Sequence, residues 1–195
     1  ASQISRELKI QLYDEFGKVP KKMKLINCVG GGSSAYGFWS EFIDYDKKRI
    51  QLIGVEAGGP KNGKLHAAPL SNNSKVGILH GSRAYCIQDS DGQIGETESL
   101  SSGLDYPSVS PLHCFLKDAG RANYTSATDE DALNAYKLVT KLENISPSLE
   151  PSHAFHTAIK LAPKLSKDYV VIVNSCGHSL KDSRIIKSKL GYYKA

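Results

Sequence analysis

Apolar positions along the chain follow two alternating periods. Ile4, Leu8, Leu12 and Phe16 recur at near-helical spacing, and Gly17 and Pro20 act as stop signals, so a first helix is predicted there. Leu25 to Val29 reads as a short buried strand that ends at three glycines. Ala35, Phe38, Trp39, Phe42 and Ile43 then fall at i, i+3, i+4, i+7 and i+8, the apolar stripe of a helix packed on a sheet. Ile50 to Val55 is a second strand. Residues 24–56 therefore predict a strand, glycine turn, helix and strand, the unit of a parallel sheet with a right-handed crossover.

Residues 57–110 break this rhythm, being rich in Gly, Ser, Asn and Pro. Tyr85, Ile87 and the Asp89-Ser90-Asp91-Gly92 turn predict a hairpin completed near Ile94. A long irregular segment inside a compact domain is often functional surface. Ser110-Pro111 starts a short helix that Gly120 ends. Alternation resumes at Asn123: Thr128 with Asp131 opens a helix, Pro151 at a first helical position opens the next, Tyr169 to Val173 is a strand, and Ser179 with Asp182 caps a final helix. The pattern predicts one three-layer αβα domain over residues 1–195, with a mainly parallel sheet and a loop-rich insertion in its middle.

Composition changes little in this picture. The 195 residues are 40% hydrophobic and 23% charged, as in ordinary globular chains. The net charge of +5 is spread out, and its densest run, Lys18 to Lys24, has no interleaved aromatics, which argues against a nucleic-acid partner. No apolar run approaches the roughly 20 residues that cross a bilayer, so no membrane partner is expected. Cys28, Cys86, Cys114 and Cys176 show no CxxC or zinc spacing and suit an intracellular, reducing setting. The chain opens without a signal peptide, inside a helical pattern, and is expected to be a fragment or domain of a longer protein.

The strongest chemical signal is Gly30-Gly31-Gly32-Ser33-Ser34. Residues without Cβ let the backbone bend and approach a ligand, and free N–H groups at the following helix start suit a phosphate. The same residues also suit a tight turn that binds nothing, but three glycines plus two serines at this junction favour the phosphate. Gly30-x-Gly32-x-x-Ala35 loosely fits the dinucleotide fingerprint, with Glu56 where a ribose-binding acid would sit; no Gly-Lys-Ser/Thr of a P-loop follows. Asp105, Glu150 and Cys176 lie at loop or element boundaries where a parallel sheet presents ligands. Each has a plain alternative: a turn aspartate, a helix-start carboxylate, and a cysteine whose Cys-x-His spacing to His178 does not by itself aim the two side chains together. The six histidines make no metal-ligand spacing.

Together these pieces resemble the C-terminal half of the tryptophan synthase β family, fold-type II pyridoxal-phosphate (PLP) enzymes. The carriers are Cys28-Val29-Gly30-Gly31-Gly32-Ser33-Ser34-Ala35, Leu52 to Glu56, Asp91 to Ile94, Ser102-Gly103-Leu104-Asp105-Tyr106-Pro107-Ser108-Val109, and Leu149-Glu150-Pro151-Ser152-His153-Ala154. The resemblance implies a cytoplasmic lyase of tryptophan biosynthesis, with organellar targeting left open, that joins indole to L-serine by β-replacement. It implies that Gly30, Gly31, Gly32, Ser33 and Ser34 cradle the PLP phosphate, that Asp105 meets the serine substrate, and that Glu150 lies by the cofactor ring. Cys176 is implied to face the pyridine nitrogen, which is expected to be unprotonated. The carbonyls of Gly30, Tyr106 and Ser108 match a monovalent-cation site for Na or K. The partners implied are an α subunit or fused α domain, and a second copy in a homodimer.

Several positions depart from the family. Ser34 stands for the usual Asn, Cys176 for Ser, Leu79 and His80 for an aromatic pair lining the indole tunnel, and His178 and Leu180 for a more charged turn. The family's aldimine lysine stands in a His-Lys-x-Asn motif, and no His-Lys pair occurs in this chain. The isolated chain is therefore expected to be inactive. The alternatives are a Rossmann-like dinucleotide-binding domain of an oxidoreductase, a non-enzymatic phosphate-binding module, and another fold-type II β-replacement enzyme such as a cysteine synthase.

Overall fold

Four strands, Met23–Cys28 (β1), Ile50–Ala57 (β2), Ala122–Ala127 (β5) and Val170–Val173 (β6), form one sheet in the order β5-β2-β1-β6, every neighbouring pair parallel. The computed structural model describes residues 2–191. Central β1 is buried at every position, as expected for a strand covered on both faces. The register sets Met23 against Ile50 on one side and against Val170 on the other.

Helices cover both faces. On one side Leu12 of the first helix (α1, Ser2–Phe16), Phe38 and Trp39 of the second (α2, Ser33–Trp39) and Leu116 of the third (α3, Pro111–Asp118) join Leu25, Leu52 and Phe42 in the larger core. Burying Trp39 and Phe42 contributes roughly 1.5–3 kcal/mol each by area. On the other side Ala154 of the fifth helix (α5, Leu149–Leu161) packs on Ile26, Cys28 and Val55, and the fourth (α4, Asp129–Glu143) lies against α5. A third cluster joins Leu133 of α4 and Leu149 to Ile186 of the sixth helix (α6, Ser183–Leu190). The predicted three-layer αβα class is what the chain adopts.

Some local expectations shift. The α2 stripe continues only to Trp39 as α-helix; from there Phe42 N–H donates to the Trp39 carbonyl in a tighter turn. Ile4 and Phe16 of α1 are exposed, and Ser5 with Leu12 forms its buried side instead. The insertion's main hairpin comes earlier than predicted, pairing Lys75–Leu79 (β3) with Ser82–Cys86 (β4) around His80 and Gly81, whose φ values of 51° and 76° are both left-handed. The Asp89 to Gly92 turn does form, closed by the Gln88 to Ile94 bridge. The Thr128 and Asp131 capping box is present, and Ser110 caps α3 as predicted. Pro151 is the third residue of α5, not the first. Ser179 and Asp182 do not cap α6 as a box. They form a 3₁₀ turn, and the Asp182 carboxylate accepts from Leu149 N–H at 2.8 Å.

Candidate functional site: the glycine turn at the carboxyl edge of the sheet

The glycine turn leaves the end of β1 beside β2, with Val29 N–H still donating to the Val55 carbonyl. Gly32, at φ 100° and ψ −2°, is the N-cap of α2 and has no side chain to satisfy the N–H groups behind it. Two of the glycines are demanded by crowding. A Cβ on Gly30 would lie 2.6 Å from the Gly103 carbonyl oxygen, and one on Gly32 would lie 2.1 Å from the His113 ring. Gly31 is different: a Cβ there would meet nothing within 4 Å. An open cleft of about 380 Å³ begins here, lined by Gly31, Gly32, Ser33, Tyr36, Gly37, Ser110 and Leu112.

The turn is braced from below. His113 Nε2 donates to the Gly32 carbonyl at 2.7 Å, which fixes the tautomer, so Nδ1 accepts from the Tyr124 hydroxyl, also at 2.7 Å. Burial pushes the His113 pKa down and the Tyr124 pKa up, keeping both neutral. Ser110 N–H donates to the Gly31 carbonyl. Ser34 is held by the amides of Asn27 and Asn174, at 3.3 and 3.4 Å.

Cys176 lies just beyond β6, its sulfur 3.5 Å from Cys28. The hydrogen bond from the Cys28 thiol, aided by one from Ser34, lowers the Cys176 pKa to about 7 against the opposing effect of burial. Glu150 sits in the first turn of α5, where Oε1 accepts from Gly103 N–H at 3.0 Å and from Lys181 at 2.8 Å. Burial works to raise its pKa, but hydrogen bonds from Lys181 and Ser148 and the Lys181 charge outweigh it and hold the group at about 2. Its Oε2, like Asn27 Oδ1, is buried without a hydrogen-bond partner among the described residues.

The loop 101–108 joins these parts. Gly103 fits only without a side chain, because a Cβ would lie 2.6 Å from Glu150 Oε1. Leu104 is buried and Asp105 beside it is exposed, its N–H bound to the Ser101 carbonyl. Tyr106 stacks on His80 with its hydroxyl 3.0 Å from His80 Nδ1. Ser108 is buried and donates to the Tyr85 carbonyl. The residues singled out in the sequence thus meet on two sides of one turn, with Asp105 on its exposed rim. His113, Asn27 and Asn174 were not singled out; their signals, a histidine in a helix's first turn and two asparagines at strand ends, carry no chemistry until the fold is known.

Glu56 does not have the role the dinucleotide reading gives it. It is fully buried, and its carboxylate accepts from Leu70 N–H, Ser71 N–H and the Ser71 hydroxyl. Burial pushes its pKa up to about 7 in spite of these donors. No face remains for a ribose. Another cleft of about 300 Å³ along β5 and α5 contains none of the predicted site residues.

No family model matches the chain. The tryptophan synthase β chain of Chromobacterium violaceum is 47% identical over 192 residues, covering 97% of this chain and 47% of the relative. That of Rhodopseudomonas palustris strain TIE-1 is 46% identical over 188 residues, covering 96% and 45%. Among solved structures, a fungal L-serine ammonia-lyase from Rhizomucor miehei superposes with TM-score 0.63 at 20% identity, over 96% of this chain and 55% of that one. A threonine deaminase from T.th. gives 0.59 at 14% identity, over 91% and 56%. At these identities the two structures show the fold alone. This chain is homologous to tryptophan synthase β chains along almost its whole length, and spans about half of theirs.

Proposed function

We propose that the chain is part of a PLP-dependent tryptophan synthase β chain that joins indole and L-serine to give L-tryptophan and water. The observation that carries this reading is the 47% identity with such a chain over 97% of this one, supported by a glycine turn with open space over Gly31 where a phosphate would sit.

The residues present fit that cofactor. The space over Gly31 and the N–H groups at the start of α2 suit its phosphate. Buried Glu150 Oε2 and Asn27 Oδ1 have no partner in the described residues, and Cys176 lies a few ångströms from Ser34 at the far end of the turn. Bound there, PLP would supply an electron sink for a carbanion at the substrate Cα. Gly30 to Ser34 would hold the phosphate and Cys176 would present its sulfur to the pyridine nitrogen. Glu150, ionised and anchored by Lys181, lines the ring. Asp105, on the exposed rim, meets the serine substrate. The carbonyls of Gly30, Tyr106 and Ser108 would hold a sodium or potassium ion, as the family resemblance implies.

The lysine that would anchor the cofactor belongs to no His-Lys pair of this chain, and we assign it to the part of the protein outside these residues. An α subunit or α domain delivering indole, a β homodimer and a cytoplasmic setting complete the proposal; among the described residues no helix is long and apolar enough to cross a membrane, and the cysteines are unpaired. Supplied with PLP, indole and L-serine, the chain should make no tryptophan while its melting temperature rises with PLP. Turnover by the chain alone would contradict the placement of the lysine, and no PLP stabilisation would contradict the cup.

A further inference from the structure

The proposed chemistry uses Cys176 but gives no part to Cys28, the thiol beside it. Cys28 closes β1 and is buried; Cys176 lies on the exposed loop after β6. Their sulfurs are 3.5 Å apart, against about 2.05 Å in a disulfide, so closing the bond asks for a movement of about 1.5 Å. That movement falls on a short stretch. Asn174 N–H is fixed to the Ile26 carbonyl, and the Gly177 carbonyl accepts from Ser148 N–H. Ser175 and Cys176 lie between these anchors. Reactivity is divided as an attacking and a resolving thiol require. Cys176 is exposed as a residue, with its sulfur contact to Cys28 part-buried, and is held towards its thiolate at about 7. Cys28 is buried behind it, with its sulfur within hydrogen-bond reach of the Cys176 sulfur.

We propose that Cys28 and Cys176 are a peroxide-sensitive dithiol at the ring end of the glycine turn, closing to a disulfide that uncouples the turn from its ligand. The Cys176 thiolate attacks one oxygen of hydrogen peroxide, the O–O bond breaks, hydroxide leaves, and Cys176 becomes a sulfenic acid. The Cys28 sulfur then attacks the Cys176 sulfur, the S–O bond breaks, and the departing hydroxide takes the Cys28 proton as water. Two thiols are oxidised by two electrons and one peroxide is reduced to water. The disulfide removes the Cys28 donor from Cys176 and ties its sulfur to the end of β1. The effect on PLP rests on the function proposed above; the closure rests on this chain alone.

The full chain, treated with hydrogen peroxide and mapped by peptide mass spectrometry, should yield a Cys28 to Cys176 cross-link that a dithiol reductant reverses. Cys86 and Cys114 should stay reduced. Cys176→Ser should lose the cross-link entirely, and Cys28→Ser should stop at a sulfenic acid trapped by dimedone on Cys176. Oxidation of Cys86 or Cys114 in preference, or over-oxidation of Cys176 without a cross-link, would overturn the proposal. PLP added beforehand should slow closure several-fold. Closure at an unchanged rate would leave the dithiol standing and remove the ring from Cys176.

Discussion

Two turns in this chain depend on glycine for opposite reasons. At Gly81, in the β3 to β4 hairpin, the backbone is left-handed and a Cβ would meet nothing; the residue serves the local bend only. At Gly30 and Gly32 the surroundings forbid a side chain, because the Gly103 carbonyl and the His113 ring fill that space. The hairpin carries its own geometry and exposes Ile78 at 74%. The glycine turn is set by residues far along the chain, through bonds from Ser110 and His113. One turn is fixed by its own backbone, the other by distant residues that support it.

The largest effect should follow from Gly32→Ala. The new Cβ meets the His113 ring at a left-handed φ, and the chain should lose on the order of 3 kcal/mol or more in denaturant unfolding, with its response to PLP. His113→Ala should cost about 2–4 kcal/mol, by leaving the Gly32 carbonyl and the Tyr124 hydroxyl unpaired over a cavity. A cost as small as a surface substitution would show that the turn stands without its brace. Lys181→Ala should cost about 1 kcal/mol at neutral pH, since the lysine is half exposed. Glu150 has a folded pKa depressed from 4.5 to about 2, so its contribution is present above pH 4.5 and is lost as pH falls towards 2. Removing Lys181 should shrink that acid-dependent loss in a pH series of melting temperatures. Ile78→Ser, on the hairpin, should change stability by no more than about 0.5 kcal/mol.

How much of this was legible follows from how local each signal is. The strand, glycine turn, helix and strand of 24–56, the Thr128 box and the Ser110 cap are written within a few residues and were readable. Glu56 was misleading: its place at a strand end fits a ribose acid, and only the fold shows it turned on Leu70 and Ser71. His113 and Asn174 act across the sheet, over sequence distances of 81 and 140 residues, which no window of local pattern spans. The hairpin was displaced because His80 is not a customary turn residue, and the Asp89 to Gly92 signal beside it was stronger.

Gly31→Val offers the most direct test of the central claim, that the glycine turn is a preformed phosphate cup. The side chain enters open space without strain, so folding should be almost unchanged while the volume reserved for the phosphate is filled. Melting temperature is followed as PLP, and separately inorganic phosphate, is titrated into the parent chain and the variant. The account predicts stabilisation of the parent by PLP and its loss in Gly31→Val at equal starting stability. Equal stabilisation of both chains, or none of the parent, would contradict it.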